Sequence, residues 1–307
     1  MTYGTSSLKR RTKAEVEAIR AAIHDVLKAD HPQTVRQVFY QLVARGIIEK
    51  TEQEYRLSVS RRLGEMRLAD QISWDWIVDE TRKGRVTQTF DNVYDALNDT
   101  AKFYRRSALR DSDVYIEIWS EKEALAGIIY EAASKYDVPV MTSRGIPSLT
   151  QIWSTFVSIH NAARKGKQSY IYQFGDHDPT GCLIPKALER RLREFCRKHH
   201  TPHSPVIERV ALTKEHIRQY RLPTRPTKRE GNNHARDFEG RSVELDALPS
   251  SVLRELVTEC IERHITPEAL DTLREAEDSE RSVIEGLPNM RRITRRIGPD
   301  EHCQAAQ

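Results

Sequence analysis

From Asp111 onward the chain alternates short apolar runs with helical segments, and that alternation constrains the fold more than any other feature. "VYIEIWS" reads as a strand, "EKEALAGIIYEAASKY" as a helix, "VPVMTS" as a strand and "SLTQIWSTFVSIHNAARKG" as a helix. "SYIYQFG", "TGCLIPKALERRLREFCRKH" and "VIERVAL" continue the pattern as strand, helix and strand. Strands joined through helices require right-handed crossovers, which build a mostly parallel sheet. Residues 222–242, rich in Pro, Gly, Asn and basic side chains, read as an irregular loop, and "LPSSVLRELVTECIERHI" as a helix. The expected organisation is an α/β domain over 111–270 and a charged tail over 271–307 that begins as a helix and frays.

Residues 1–110 follow a different grammar. Val16, Ile19, Ile23, Val26 and Leu27 repeat at helical spacing, and so do Val35, Val38, Phe39, Leu42 and Val43. A third helix is expected over about Glu54–Ala69, with Arg56, Arg61, Arg62 and Arg67 on its polar face. "QISWDWIVDETR" alternates as a short strand or wing would, and residues 90–110 read as a helical connector. Three helices and a ribbon suggest a winged helix-turn-helix whose third helix meets phosphates in the major groove. A plain three-helix bundle with a solvated arginine face fits the same pattern. The formal net charge of +4 is unevenly placed: residues 1–110 hold 20 Lys and Arg against 15 Asp and Glu. Such an excess favours a nucleic-acid partner only where a docking element accompanies it.

No run approaches the roughly 18 apolar residues of a membrane span, and the basic N-terminus has no apolar segment behind it. Cys182, Cys196, Cys260 and Cys303 lie far apart without a CxxC pair, which argues against a zinc ribbon and fits a reducing cytoplasm.

The densest chemistry lies in "YIYQFGDHDPTG". Asp176 and Asp178 follow an apolar strand, at the end where ligands bind in an open parallel sheet. In extended backbone, side chains two residues apart point the same way, so the pair is expected to repel unless a cation or proton lies between them. Oxygen ligands of this kind suit Mg²⁺. Pro179 and Gly181 permit a sharp turn into a helix whose N-terminus favours phosphate. A third carboxylate is expected from the end of the first strand: Glu121 first, then Glu123, with Glu117 inside the strand. The bland alternative is a turn in which Asp caps a helix. His177 reads as a solvent-facing spacer or a contact to phosphate, and Lys122 as a contact to DNA or to the acidic site.

"SEKEALAG" followed by "GDHDPTG" in an alternating α/β unit resembles a toprim domain, the metal-binding module of topoisomerases, primases and some nucleases. With "VRQVFYQLV" upstream, the chain resembles the A subunit of topoisomerase VI and its relative, the meiotic double-strand-break transesterase, over about residues 30–265. Arg36-Gln37-Val38-Phe39-Tyr40 is similar to that family's nucleophile motif, with Gln37 in place of the usual acid. "TSRGIPSLTQIW" and "RSVELDALPSSVLRELV" resemble further family segments. The resemblance implies a winged-helix domain carrying Tyr40 as nucleophile, and Glu121, Asp176 and Asp178 holding Mg²⁺. It implies a homodimer in which one subunit's tyrosine works at the other's metal site, and double-stranded DNA as substrate. Nothing in the chain resembles the ATPase subunit that topoisomerase VI requires, so a separate ATPase partner is the expectation for a full strand-passing cycle.

Arg36 precedes Tyr40 by one helical turn, so it could stabilise a phenolate or clamp a phosphate. A neutral phenol is a poor nucleophile and needs such help. Two other functions remain open: a toprim nuclease that hydrolyses DNA with metal-activated water, and a DNA-binding protein without catalysis.

Overall fold

The structure, a computed structural model, describes residues 11–78, 89–143, 145–227, 238 and 240–296. The chain divides into two compact units, one of Met1–Arg82 with Asp113–Ile261 and the other of Lys83–Ser112 with Glu262–Gln307.

The first unit begins with helices α1 (Lys13–Ala29) and α2 (Val35–Ala44). Each opens on a capping box, Thr12 with Glu15 and Thr34 with Gln37, so two otherwise orphan N–H groups are satisfied at each start. Gln37 thus does locally what an acid at that position would do. The third helix runs without a break through α3 (Glu52–Glu54), a π-helical stretch (Tyr55–Ser60) and α4 (Arg61–Leu68). Ile19, Ile23, Val38, Leu42, Val59 and Leu63 are buried where these helices meet.

The ribbon expected after this helix does not form among the described residues. Trp74–Trp76 is a 3-10 turn, and Ile77 makes a single parallel bridge with Gln33. The alternation came from two anchors: Ile72 and Ile77 are buried, Trp76 stacks on His31 at 4.8 Å, and Trp74 remains exposed. Residues 79–82 of the expected ribbon lie outside the described residues.

The second half of this unit is a mixed α/β layer around one four-stranded, all-parallel sheet of order β2-β1-β3-β4. The strands are β1 (Val114–Ser120), β2 (Val140–Thr142), β3 (Gln168–Phe174) and β4 (Val206–Ala211). Their crossovers are α6 (Ala126–Ala133), α7 (Leu149–Ala163) and α8 (Pro179–Lys198). Trp119 and Ile171 from one sheet face pack with Ile152, Phe156, Leu188 and Leu192 of α7 and α8. Glu117 shares that face and is buried there, its carboxylate accepting bonds from Tyr115, Trp119 and Thr155 at 2.7–3.0 Å. The unit continues through the short helix α9 (Lys214–Gln219) and α10 (Ser250–Glu262). Residues 228–237 and 239 of the expected loop lie outside the described residues. Its edges are tied, with Arg225 bridging Ser242 and Val243 bridging His177. His177 is buried, which corrects the expectation of a solvent-facing spacer.

In the second unit, α5 (Val93–Phe103) packs with α11 (Pro267–Arg296). The expected 90–110 helix is shortened because the chain leaves helical geometry at Tyr104. Its hydroxyl then donates to Glu280, and Arg105 pairs with Glu277 at 3.0 Å. Residues 297–307, including Cys303, lie outside the described residues. Among the described residues no helix is long and apolar enough to cross a membrane.

Candidate functional site at the carboxyl end of the sheet

The register of the two central strands builds the site. Ser120 of β1 lies beside Phe174 of β3, so Glu121 and Gly175 leave the sheet together. Glu121 N–H donates to the Phe174 carbonyl at 2.9 Å, and Glu121 Oε2 accepts from the Asp176 N–H at 2.9 Å. Two glycines make room: a Cβ at Gly175 or Gly181 would lie 2.7 or 2.9 Å from Glu121 Oε2. Arg209 of β4 holds the turn by donating to the carbonyls of Gly175, Asp176 and Gly181 at 3.3, 2.6 and 2.5 Å.

The two aspartates part company in this turn. Asp178 is the N-cap of α8, its Oδ1 accepting from the Gly181 N–H at 2.8 Å. Asp176 is buried and turns toward residues 243–246, where its Oδ1 accepts from the Leu245 N–H at 2.8 Å. Burial, with repulsion from Asp176 and Asp178, raises the Glu121 carboxyl to about 7. Burial also raises Asp176, to about 6, against the pull of Lys122. Glu123 lies in the next 3-10 turn.

Lys122 does not reach outward. Its Nζ lies 2.5 Å from Asp246, 3.2 Å from Asp176 and 3.3 Å from Glu244. Burial works against its charge, but these three carboxylates outweigh burial and hold it above the ordinary lysine range. Glu244 in turn meets Arg225 at 3.0 Å and Arg36 at 3.5 Å, and engages the Tyr40 hydroxyl. Burial pushes Glu244 up, yet Lys122, Arg36, Tyr40 and Arg225 bring it down to about 2. Burial and Glu244 together push the Tyr40 phenol above its ordinary value.

Tyr40 is 2% exposed, but its surroundings are not an apolar interior. It lines a cleft of about 330 Å³ with Arg36, Lys50, Arg225 and Glu244, and Lys50 Nζ stands 5.0 Å above its ring. One chain of polar contacts therefore runs from Tyr40 through Glu244 and Lys122 to Asp176. Sequence reading missed Glu244, Asp246, Arg225 and Arg209. The first two carried a usable signal: "VELDAL" sets acids two apart inside an apolar run, as "GDHD" does at a strand end.

Glu121, Asp176 and Asp178 match a hard cation in donor chemistry, since each commits one oxygen to a backbone N–H and has a second, although Arg225 stands 3.9 Å from that of Asp178 and Lys122 already pairs with Asp176. Their grouping here falls short of it: among the described residues no three His, Cys, Asp or Glu side chains are gathered so as to hold a metal ion.

The arginines of the third helix are partly spent. Glu65 meets Arg20, Arg61 and Arg62 at 2.9, 3.0 and 2.7 Å, which lowers its carboxyl to about 2, led by the bond from Arg62. Arg67 lies 4.3 Å over the Trp74 ring. Arg56, paired with Glu52 at 3.4 Å, is the most exposed of the four. The chain matches no family model and no curated protein.

Proposed function

We propose that this protein binds double-stranded DNA and cleaves it by transesterification, in the manner of a type IIB topoisomerase A subunit. In this reading the helices of residues 13–68 form a winged-helix-type DNA-binding domain and the parallel sheet a toprim domain. Tyr40 is the nucleophile, Arg36 its cationic neighbour, and Glu121, Asp176 and Asp178 would hold Mg²⁺ only after drawing closer together than they stand here. One observation carries the reading: Tyr40 and Arg36 reach Glu244, and Glu244 reaches Asp176 through Lys122, 82 or more positions away from them in sequence. The candidate nucleophile and the acidic turn thus share one network within a chain, where the resemblance implies a pairing between subunits.

When bound, Mg²⁺ would neutralise phosphate charge at this site. The chain's own groups do the rest. Arg36 offers a guanidinium fork to a phosphate oxygen, and Tyr40 Oη attacks phosphorus as its proton leaves to solvent. The leaving 3′ oxygen takes a proton from water, and the product is a 5′-phosphotyrosyl end. A homodimer supplies two such sites, and a separate ATPase subunit is the partner a full strand-passing cycle needs.

Supercoiled plasmid incubated with the protein, with and without Mg²⁺, then denatured and treated with protease, tests this. Plasmid nicked or linearised only after denaturation, and none with Tyr40→Phe, is the expected result. A product that is linear before denaturation and survives Tyr40→Phe supports a second reading, a toprim nuclease that uses water. The burial of Tyr40 and the upward shift of its phenol favour that alternative.

A further inference from the structure

We infer that the cleft beside Tyr40 is a phosphate-binding site whose place is held, in this structure, by the protein's own Glu244 carboxylate. This deepens the proposed function, and rests on it only for the identity of the phosphate as a strand diester.

Three cations, Arg36, Lys50 and Arg225, line the cleft with the hydroxyl-bearing Thr51, Thr224 and Tyr40 and with two carboxylates, Glu244 and Glu52, of which Glu52 is paired outward with Arg56. Like charges gathered in one cleft repel unless an anion lies among them. Glu244 supplies part of that charge, with Oε1 3.0 Å from Arg225 and Oε2 3.5 Å from Arg36. The match is incomplete. The buried Arg36 Nε completes no hydrogen bond, since 3.5 Å is too long for a good one. Lys50 spends a proton on the Pro223 carbonyl at 2.9 Å, and burial followed by Arg225 and Arg36 lowers its pKa despite Glu244. A carboxylate has two oxygens to share among these donors. A phosphate has more, in a geometry that suits guanidinium forks.

Glu244 therefore acts as an internal competitor. While it sits on Arg36 and Arg225 it also engages the Tyr40 hydroxyl, adding to the burial that keeps it a phenol. A phosphate that enters must displace it, and the apparent affinity falls by the fraction of molecules in which Glu244 occupies the cations. The same exchange frees the Tyr40 hydroxyl from its hydrogen bond to Glu244, so anion entry and the freeing of that hydroxyl are coupled, while burial continues to hold it a phenol.

The test is calorimetric titration of the full chain with inorganic phosphate and, separately, with a dinucleoside monophosphate, at ionic strength held constant with chloride. Glu244→Gln keeps the side-chain shape and removes the competing charge. It is expected to bind phosphate at least about tenfold more tightly than the wild type, a change of about 1.4 kcal/mol. A folded Glu244→Gln protein that binds no more tightly overturns the inference. Should that variant fail to fold, Lys50→Met and Arg225→Gln decide the matter: binding weakened about tenfold supports the site, and unchanged binding sinks it. Preference for the dinucleoside monophosphate links the site to strand chemistry. Preference for inorganic phosphate supports the anion site while counting against the strand-cleavage reading.

Discussion

Glu121 Oε2 accepts the backbone N–H of Asp176 at 2.9 Å, so the turns after β1 and β3 are joined by a side chain from one and the main chain of the other. This bond fixes where Glu121 stands relative to Asp176 before any ligand enters. It also forces the backbone on both sides to pass close to a carboxylate, and that closeness has consequences for the glycines.

At Gly181 a methyl group would collide with the Asp176 carbonyl and lie 2.9 Å from Glu121 Oε2. Gly181→Ala is expected to cost about 1–3 kcal/mol, because backbone and a held carboxylate must both yield. Gly64 is the contrast: it is exposed on α4, with nothing within 4 Å of an added Cβ. Gly64→Ala should stabilise the protein by about 0.5–1 kcal/mol by removing backbone freedom from the unfolded chain. Urea unfolding of both variants measures the two signs.

The strand-helix alternation after Asp111 was legible because its periods are local: each strand is a short apolar run and each crossover helix has its own repeat. The parallel sheet and the meeting of Glu121 with Asp176 follow from that alternation and the rule that strand ends converge. The strand order does not, since nothing local tells β2 to lie outside β1. Nor is a network such as Lys122 with Glu244 and Asp246 visible in sequence, because its members are brought together only by the return of residues 242–246 to the sheet end. The ribbon at 71–78 misled for a related reason. Two buried isoleucines around a tryptophan turn copy the alternation of a strand while the backbone makes a 3-10 turn.

Arg209 reaches the carbonyls of Gly175, Asp176 and Gly181 with its two terminal nitrogens. A lysine ammonium is a single point and cannot span all three. Arg209→Lys is therefore expected to leave buried carbonyls unpaired, at a cost of about 1–3 kcal/mol. Amide exchange at Asp176 and Gly181 should accelerate more than at the centre of α7. Equal exchange at both places would show that the turn holds without the fork.

Glu244 ties stability to pH. Its carboxyl sits at about 2 in the folded protein against an ordinary 4.5, so the folded state prefers it ionised. That preference is worth about 3 kcal/mol, is fully present above pH 4.5, and is lost as the pH falls toward 2. Glu244→Gln should thus be less stable than the wild type at pH 7, and the gap should close on acidification. Chemical unfolding of both proteins at pH 7, 4 and 2.5 reads the convergence; a gap independent of pH would mean that packing, not charge, sets the cost.

If the third helix meets duplex DNA, its arginines should not count equally. Arg62 is bound to Glu65 at 2.7 Å with a side chain 24% exposed, whereas Arg56 is 75% exposed and only loosely paired at 3.4 Å. A phosphate recruits a solvated guanidinium more readily than one already neutralised by a carboxylate. Arg56→Ala is expected to weaken duplex binding uniformly across sequences and reduce the slope of log affinity against log salt by about 1. Arg62→Ala should leave that slope nearly unchanged. Glu65→Gln should steepen it, because Arg20, Arg61 and Arg62 lose their shared anion together. Fluorescence anisotropy over a salt series measures all three, and equal slopes for Arg56→Ala and Arg62→Ala would place the duplex on another face.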